Sequence, residues 1–179
     1  IDNYGDGRIQ GPSLPTYFGG LTNNFSYGNF DANIIITFSG GNKLYNGTRA
    51  TTSDQRYFNS GTFVLNRWTK PGQLTDIPKL VWGDSFSNGF SSTNSAYVED
   101  GSYVKLKNIS LGYRLPVQAL PLSGWVSSAR VYFQATNLFT LTKYTGADPE
   151  VSINGNSINS GKDQNVPANA SVYSFGINV

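Results

Sequence analysis

Hydrophobic and polar residues alternate with a period of two in five separate stretches of this 179-residue chain. Such alternation places apolar side chains on one face and polar side chains on the other, which is the pattern of a half-buried β-strand. It predicts strands at about 16–27, 30–39, 102–115, 127–141 and 171–179. No helical pattern accompanies them to cover the apolar faces, so the sequence predicts an all-β fold.

Two local features refine the predicted strands. Gly28-Asn29 separates the first two strands and predicts a tight hairpin turn. In the third strand the apolar phase slips between Leu106 and Ile109, which predicts either a β-bulge or a strand end that projects beyond the apolar zone.

The connections between the predicted strands differ greatly in length. Residues 40–100 and 142–169 are long and polar, whereas the Gly28-Asn29 turn and the 116–126 connection are short. A polar stretch as long as residues 40–100 is unusual inside a compact soluble domain. Within it, residues 61–68 suit a short helix or strand. Long loops on one rim and short turns on the other are typical of a membrane β-barrel.

Five strands cannot close a barrel, and open strand edges are unsatisfied in lipid. We therefore expect this chain to supply one sector of a larger transmembrane antiparallel barrel. The residues predicted to face lipid are Ile34, Ile36, Phe38, Val131, Phe133, Tyr173, Phe175 and Ile177.

Composition narrows the chemistry. The chain has no Cys and no His, so thiol catalysis, zinc–cysteine sites and a Ser/His/Asp triad are excluded from it. The net charge is +2 without a basic run, which argues against nucleic-acid binding. No apolar run approaches the roughly 20 residues of a membrane helix. We predict no enzymatic activity and no cofactor.

Four segments resemble one known family. They are GNKLYNGTR at 41–49, VLNRWT at 64–69, VEDGSYVKLKNISLGY at 98–113, and NLFTLTKY at 137–144 followed by DPE at 148–150. In this order they are similar to motifs of the SusC/RagA-type TonB-dependent transporters of the Bacteroidetes outer membrane. The chain looks like the C-terminal sector of such a transporter.

The resemblance implies a plugged barrel of about 22 strands, of which this chain carries the last five and lacks the plug. The loops at 40–100 and 142–169 are then extracellular. The implied activity is energy-coupled import of an oligosaccharide or a peptide. The implied partners are a SusD-like surface lipoprotein, TonB acting through an N-terminal region absent here, and membrane lipid with lipopolysaccharide.

Several residues suggest binding sites. Trp68 and Trp82 suit sugar stacking or a contact with a partner, although loop packing is the simpler interpretation. Trp125, beside a short turn, suits the aromatic girdle at a membrane interface.

Acidic residues suggest weaker candidates. Asp148 and Glu150 suit a carboxylate pair for glycoside hydrolysis, but contact with substrate or lipoprotein, or a role in stabilising the loop, is the simpler interpretation. Asp2 and Asp6 resemble half of a calcium loop that lacks its later ligands, so a polar turn is the simpler interpretation.

Two lysines lie near the outer end of the third predicted strand. Lys105 and Lys107 suit lipopolysaccharide phosphates, the lumen wall or, more simply, a solvated strand end.

Two other functions remain open at this level. A secreted β-sandwich that binds carbohydrate predicts apolar faces packed on one another in water. A siderophore-type TonB-dependent receptor predicts no SusD-like partner, and the EDGSY and DPE segments favour the SusC-type branch over it.

Overall fold

The computed structural model describes residues 7–56, 59–81, 94–119, 124–150 and 160–179. The strands are β1 (Tyr17–Tyr27), β2 (Phe30–Gly40), β3 (Lys43–Asn46), β4 (Val98–Asp100), β5 (Tyr103–Leu115), β6 (Ala129–Thr142), β7 (Lys162–Asp163) and β8 (Val172–Asn178). One α-helix, α1, spans Gly47–Ser53. No helix within the described ranges is long and apolar enough to cross a membrane. The chain divides into two compact units, which are described separately.

The first, the sheet unit, comprises residues 15–40, 102–142 and 169–179. Its five long strands form one antiparallel sheet in the order β1-β2-β5-β6-β8. Each strand begins and ends within two residues of the range predicted from alternation. The agreement follows from the two faces of the sheet, because each strand presents apolar and polar residues alternately.

The predicted hairpin turn is confirmed between β1 and β2. Gly28 adopts a φ of 57°, a left-handed conformation that glycine adopts without a steric penalty. The carbonyl of Asn29 accepts a hydrogen bond of 2.8 Å from the backbone N–H of Arg114, which ties the turn to β5.

Of the two interpretations of the slip in β5, the structure confirms the bulge. The register of β5 against both of its neighbours shifts between Leu106 and Asn108. Leu106 therefore pairs with Ile36, while Ile109 pairs with Ile34. The extra residue brings the two apolar phases of β5 onto a single face of the sheet.

The second, the loop unit, comprises residues 1–14, 41–101 and 143–168. Its small sheet has the order β4-β3-β7, in which β3 is antiparallel to β4 and parallel to β7. Short 3₁₀-helices span Thr62–Asn66 and Ser95–Tyr97. The first of these settles the ambiguous prediction at 61–68 in favour of a short helix.

The loop unit has a small core of its own. Its buried hydrophobic residues are Leu44, Ala50, Val64, Tyr97 and Tyr144. Asn46 caps α1, because its side-chain oxygen accepts a 2.8 Å hydrogen bond from the backbone N–H of Arg49. The long polar segments thus fold on one another, although their sequences show no clear periodicity.

Candidate functional site

One face of the sheet unit is apolar and exposed. The strand register gathers onto it every residue predicted to face lipid, for example Phe133 directly opposite Phe175. Those two rings lie 4.9 Å apart between centroids. Phe175 is 82% exposed and Ile177 66% exposed. Phe38 and Tyr173 are also exposed, and Ile34, Ile36, Val131 and Phe133 are half-buried.

The opposite face carries a continuous chain of side-chain amides. Asn33 donates to Asn24 at 2.7 Å, Asn108 donates to Asn33 at 3.1 Å, and Gln134 donates to Asn108 at 2.9 Å. The chain crosses β1, β2, β5 and β6 in one direction, so each amide polarises the next. A hydrogen-bonded polar face opposite an exposed apolar one makes this sheet strongly two-sided.

An ion pair bridges the same polar face. The Arg130 guanidinium on β6 donates from Nε to Asp31 Oδ1 on β2 at 2.9 Å, and its Nη2 donates to Oδ2. It passes over Gly112 of the intervening strand, where a Cβ would overlap the guanidinium. The guanidinium carbon also lies 5.3 Å from the centroid of the Tyr132 ring. Glycine at position 112 therefore makes the bidentate pair possible.

Lys105 lies on this polar face too, opposite Thr37 and Thr140. It is 1% exposed, so the interpretation as a solvated strand end is wrong for this residue. Its Nζ lies 5.9 Å from the centroid of the Tyr103 ring.

In the loop unit, the Glu99 carboxylate joins three segments that are distant in sequence. It accepts hydrogen bonds from Arg49 Nη1 at 3.2 Å, from Asn46 Nδ2 at 3.2 Å and from the Thr145 backbone N–H at 2.7 Å. The Thr145 hydroxyl also donates a hydrogen bond of 2.8 Å to this carboxylate. Glu99 therefore fixes the start of α1 against residue 145.

Asp163 forms a second buried polar centre in this unit. It is 2% exposed and accepts a 2.6 Å hydrogen bond from the Tyr144 hydroxyl. Thr48 Oγ1 donates to the same carboxylate at 3.4 Å. Burial, followed by the bond to Asp163, raises the pKa of the Tyr144 phenol, so the phenol stays protonated and donates.

Beside these two centres lies a hollow of about 450 Å³. It is lined by one side of α1, by Phe63, and by residues of the segments 145–147 and 163–166. The Arg49 guanidinium carbon lies 5.8 Å from the centroid of the Phe63 ring. A Cβ at Gly146, which lines the hollow, would overlap the Tyr144 ring. Because glycine has no Cβ, the ring can pack directly against the backbone at position 146. A partly exposed cation, an aromatic ring and hydroxyl groups give this hollow the features of a binding site.

Among the described candidates, Trp68, Asp148 and Glu150 do not line this hollow. The Trp68 backbone N–H donates to the Ile77 carbonyl at 3.0 Å, and Lys79 Nζ lies 5.9 Å from the Trp68 ring centroid. Asp148 is 4% exposed and accepts a 3.0 Å hydrogen bond from the backbone N–H of Glu150, which fits the loop-stabilising alternative.

Trp82, Asp2 and Asp6 lie outside the described residues. Within the described ranges, no three His, Cys, Asp or Glu side chains cluster as metal ligands would.

Sequence reasoning missed the residues that line the hollow. Asn46-Gly47-Thr48 carries a recognisable signal for a helix start, which would have placed Arg49 on a helix. Phe63 and Asn165 carry no comparable local signal. They reach the hollow through contacts between segments distant in sequence, such as the 2.7 Å bond from the Asn165 backbone N–H to Thr48 Oγ1, 117 residues apart.

No protein-family profile matches the chain. The TonB-dependent receptor P26 of Formosa agariphila is 34% identical over 99% of this chain and 19% of its own length. The TonB-dependent receptor SusC of Bacteroides thetaiotaomicron is 25% identical over all of this chain and 17% of its own length. The solved structure of the RagAB peptide importer in its closed-closed state superposes with a TM-score of 0.76. That likeness covers 95% of this chain and 18% of that one, at 29% identity.

The chain belongs to the SusC/RagA-type TonB-dependent receptors. It spans less than a fifth of the length of the relatives that it matches. Within this receptor family, the two-sided antiparallel sheet is a segment of a β-barrel. Its apolar and polar faces are the two sides that a barrel wall requires.

Proposed function

We propose that the receptor to which this chain belongs imports a large nutrient, an oligosaccharide or a peptide, across the bacterial outer membrane in a TonB-dependent step. The observation that carries the proposal is the two-sided sheet. One face exposes Phe38, Tyr173, Phe175 and Ile177, and the other holds the amide chain from Asn24 to Gln134. A barrel wall needs an apolar face toward lipid and a polar face toward an aqueous interior.

The exposed apolar face also weighs against the secreted β-sandwich. In a sandwich, the apolar faces of two sheets pack on each other about 10 Å apart. In the described part of the sheet unit, all five strands instead share one sheet and leave its apolar face open. Trp125, which is 92% exposed, suits the aromatic girdle at the membrane interface.

The loop unit supports the proposed placement of the long connections outside the cell. It has a hydrophobic core and buried polar centres of its own, so it can present a shaped surface to a substrate or to a SusD-like lipoprotein. Trp68 and Glu150 lie in this unit and remain proposed contact residues. TonB would act through a part of the receptor outside this chain.

The similarity to SusC-type receptors also supports a lipoprotein partner. SusC is 25% identical to this chain, and RagAB, which is named as a peptide importer, shares its fold. These likenesses favour the SusC-type branch over a siderophore-type receptor, and with it a lipoprotein partner. Transport of this kind makes and breaks no bond in the cargo, so the proposal needs no catalytic residue.

Fractionation of the native full-length protein, with mass spectrometry of whatever co-purifies, tests the proposal. We expect an outer-membrane protein that needs detergent, changes its gel mobility on heating and brings a lipoprotein with it. Bound glycan or peptide would give the cargo class. A protein that is released from cells, and that stays monomeric in water without detergent, would instead support the secreted binding module.

A further inference from the structure

We propose that the hollow of the loop unit is a subsite for one uncharged sugar ring of an oligosaccharide. The inference rests on the proposed function, and it selects an oligosaccharide over a peptide as the cargo. A volume of about 450 Å³ falls in the range of small-ligand sites. Phe63 and Arg49, which line it, both remain partly accessible.

The first argument comes from the Phe63 ring. An aromatic face carries negative charge density, and the C–H groups on one face of a sugar ring are weakly positive, so the two surfaces attract each other. Phe63 sits on the 3₁₀-helix Thr62–Asn66, whose Val64 is buried and anchors it. The neighbouring Val64 thus holds the segment, while the Phe63 ring is left to line the hollow.

The second argument comes from hydrogen-bonding groups that remain available. The Arg49 side chain is 32% exposed and donates through Nη1 to Glu99. Its other guanidinium N–H groups have no acceptor among the described residues. Asn165 is exposed, adopts a φ of 56°, and uses its backbone N–H toward Thr48 while its carboxamide has no described partner. A planar cation and a planar amide offer the several donors and acceptors that adjacent sugar hydroxyls need.

The third argument is charge. The Arg49 cation is already paired with the Glu99 carboxylate, and the buried Asp163 carboxylate borders the same space. An anionic ligand would approach two carboxylates, and a cationic one would approach a guanidinium. An uncharged, hydroxyl-rich ligand avoids both penalties.

A peptide fits this place less well. Extended peptides commonly bind by adding a strand to an exposed sheet edge. The outer strands of the small sheet are β4, with three residues, and β7, with two. Such short edges offer little backbone with which an extended peptide could pair.

The experiment uses the full-length receptor in detergent on two arrays, one of neutral oligosaccharides and one of pentapeptides. Phe63→Leu keeps the apolar bulk without the aromatic face. Asn165→Asp tolerates the same backbone conformation but adds a negative charge. Phe175→Leu, on the apolar face of the sheet, is the matched control. Receptor level in the outer membrane is measured for every variant, so that failed assembly is detected separately from failed binding.

We expect neutral oligosaccharides to be retained, with a Kd that rises about tenfold in each of the two site variants and stays unchanged in the control. Retention of pentapeptides alone, or of oligosaccharides with the same affinity in all variants, would overturn the subsite and leave the import proposal standing. No retention on either array would also overturn the subsite. A receptor absent from the outer membrane would instead count against the proposed function itself.

Discussion

At the scale of single residues, the polar face of the sheet depends on the absence of a side chain at Gly112. We predict that Gly112→Ala displaces the Arg130 guanidinium from Asp31, because the new Cβ would occupy its place. Because the guanidinium is the mobile end of a long side chain, the cost is the loss of a partly exposed ion pair, about 0.2–1 kcal/mol. The measurement is the temperature at which the full-length receptor loses its folded mobility on a gel.

Gly20→Ala provides the matched control for that measurement. Gly20 lies on the same face, opposite Thr37, and a Cβ there would meet the Ile36 carbonyl oxygen at an ordinary 3.4 Å. The control should unfold at nearly the wild-type temperature. Equal effects of the two alanines would show that the Asp31–Arg130 pair does not depend on Gly112.

A second residue-scale prediction concerns Tyr144 and pH. Removing its hydroxyl in Tyr144→Phe leaves buried Asp163 without its 2.6 Å donor. We expect the loop unit to lose about 1–3 kcal/mol of stability at neutral pH. The folded pKa of Tyr144 is raised, so its hydroxyl contributes fully below the unfolded pKa of about 10 and progressively less above it.

The measurement is the rate at which subtilisin cleaves residues 143–168 of the full-length receptor across neutral and alkaline pH. The variant should be cleaved faster than the wild type at neutral pH, and the difference should shrink above a pH of about 10. Tyr27→Phe, at a position that is 88% exposed, should behave as the wild type. A difference that grew with pH would contradict the protonated, donating state of Tyr144.

At the scale of elements, β2 allows its two faces to be tested with adjacent residues. Ile36 pairs with Leu106 on the apolar face, whereas Ile35 pairs with Asn108 on the polar face. We predict that Ile36→Arg impairs barrel assembly, since an arginine facing lipid near the bilayer midplane costs about 2–4 kcal/mol. Receptor level in the outer membrane is the measurement, and Ile35→Arg is the control. Normal levels of the Ile36 variant would contradict the lipid-facing assignment.

Prediction from sequence succeeded for the long strands and failed for the loop unit, for a physical reason. In β2 and β6 the period-two pattern is imposed by the two environments of the sheet, so each residue reports its own face. The slip between Leu106 and Ile109 even indicated the bulge as one of its two interpretations. The strands β3 and β7 have four and two residues, too few to show a period. Their pairing arises from contacts between distant segments.

The hollow illustrates the same limit at the level of a site. Arg49 reaches it on α1, Phe63 on a 3₁₀-helix, and Asn165 from a segment about 100 residues further along the chain. Nothing in the sequence near any one of them indicates the other two. The conspicuous tryptophans and the Asp148–Glu150 pair attracted attention instead, and Asp148 proved to be buried in a turn.

At the scale of the whole molecule, the sheet has two edges and one open apolar face. Among the described strands, β1 and β8 each have a single neighbour, so one side of each presents unpaired backbone groups. Exposed apolar residues, including Phe25, Phe139 and Phe175, lie on the strands between and at these edges. In water, the unpaired strand edges and the exposed apolar face favour aggregation. In a closed barrel in lipid, the edges pair with further strands and the apolar face contacts lipid.

We therefore predict that residues 1–179, expressed as an isolated chain, associate in water without detergent, whereas the full-length receptor folds in lipid. Size-exclusion chromatography with light scattering measures the mass of the isolated chain, and heat-dependent gel mobility reports folding of the receptor. A monodisperse, folded monomer of 19.5 kDa in water would contradict the prediction. It would mean that the apolar face finds a partner within this chain, as the β-sandwich requires, and not in the lipid around a barrel.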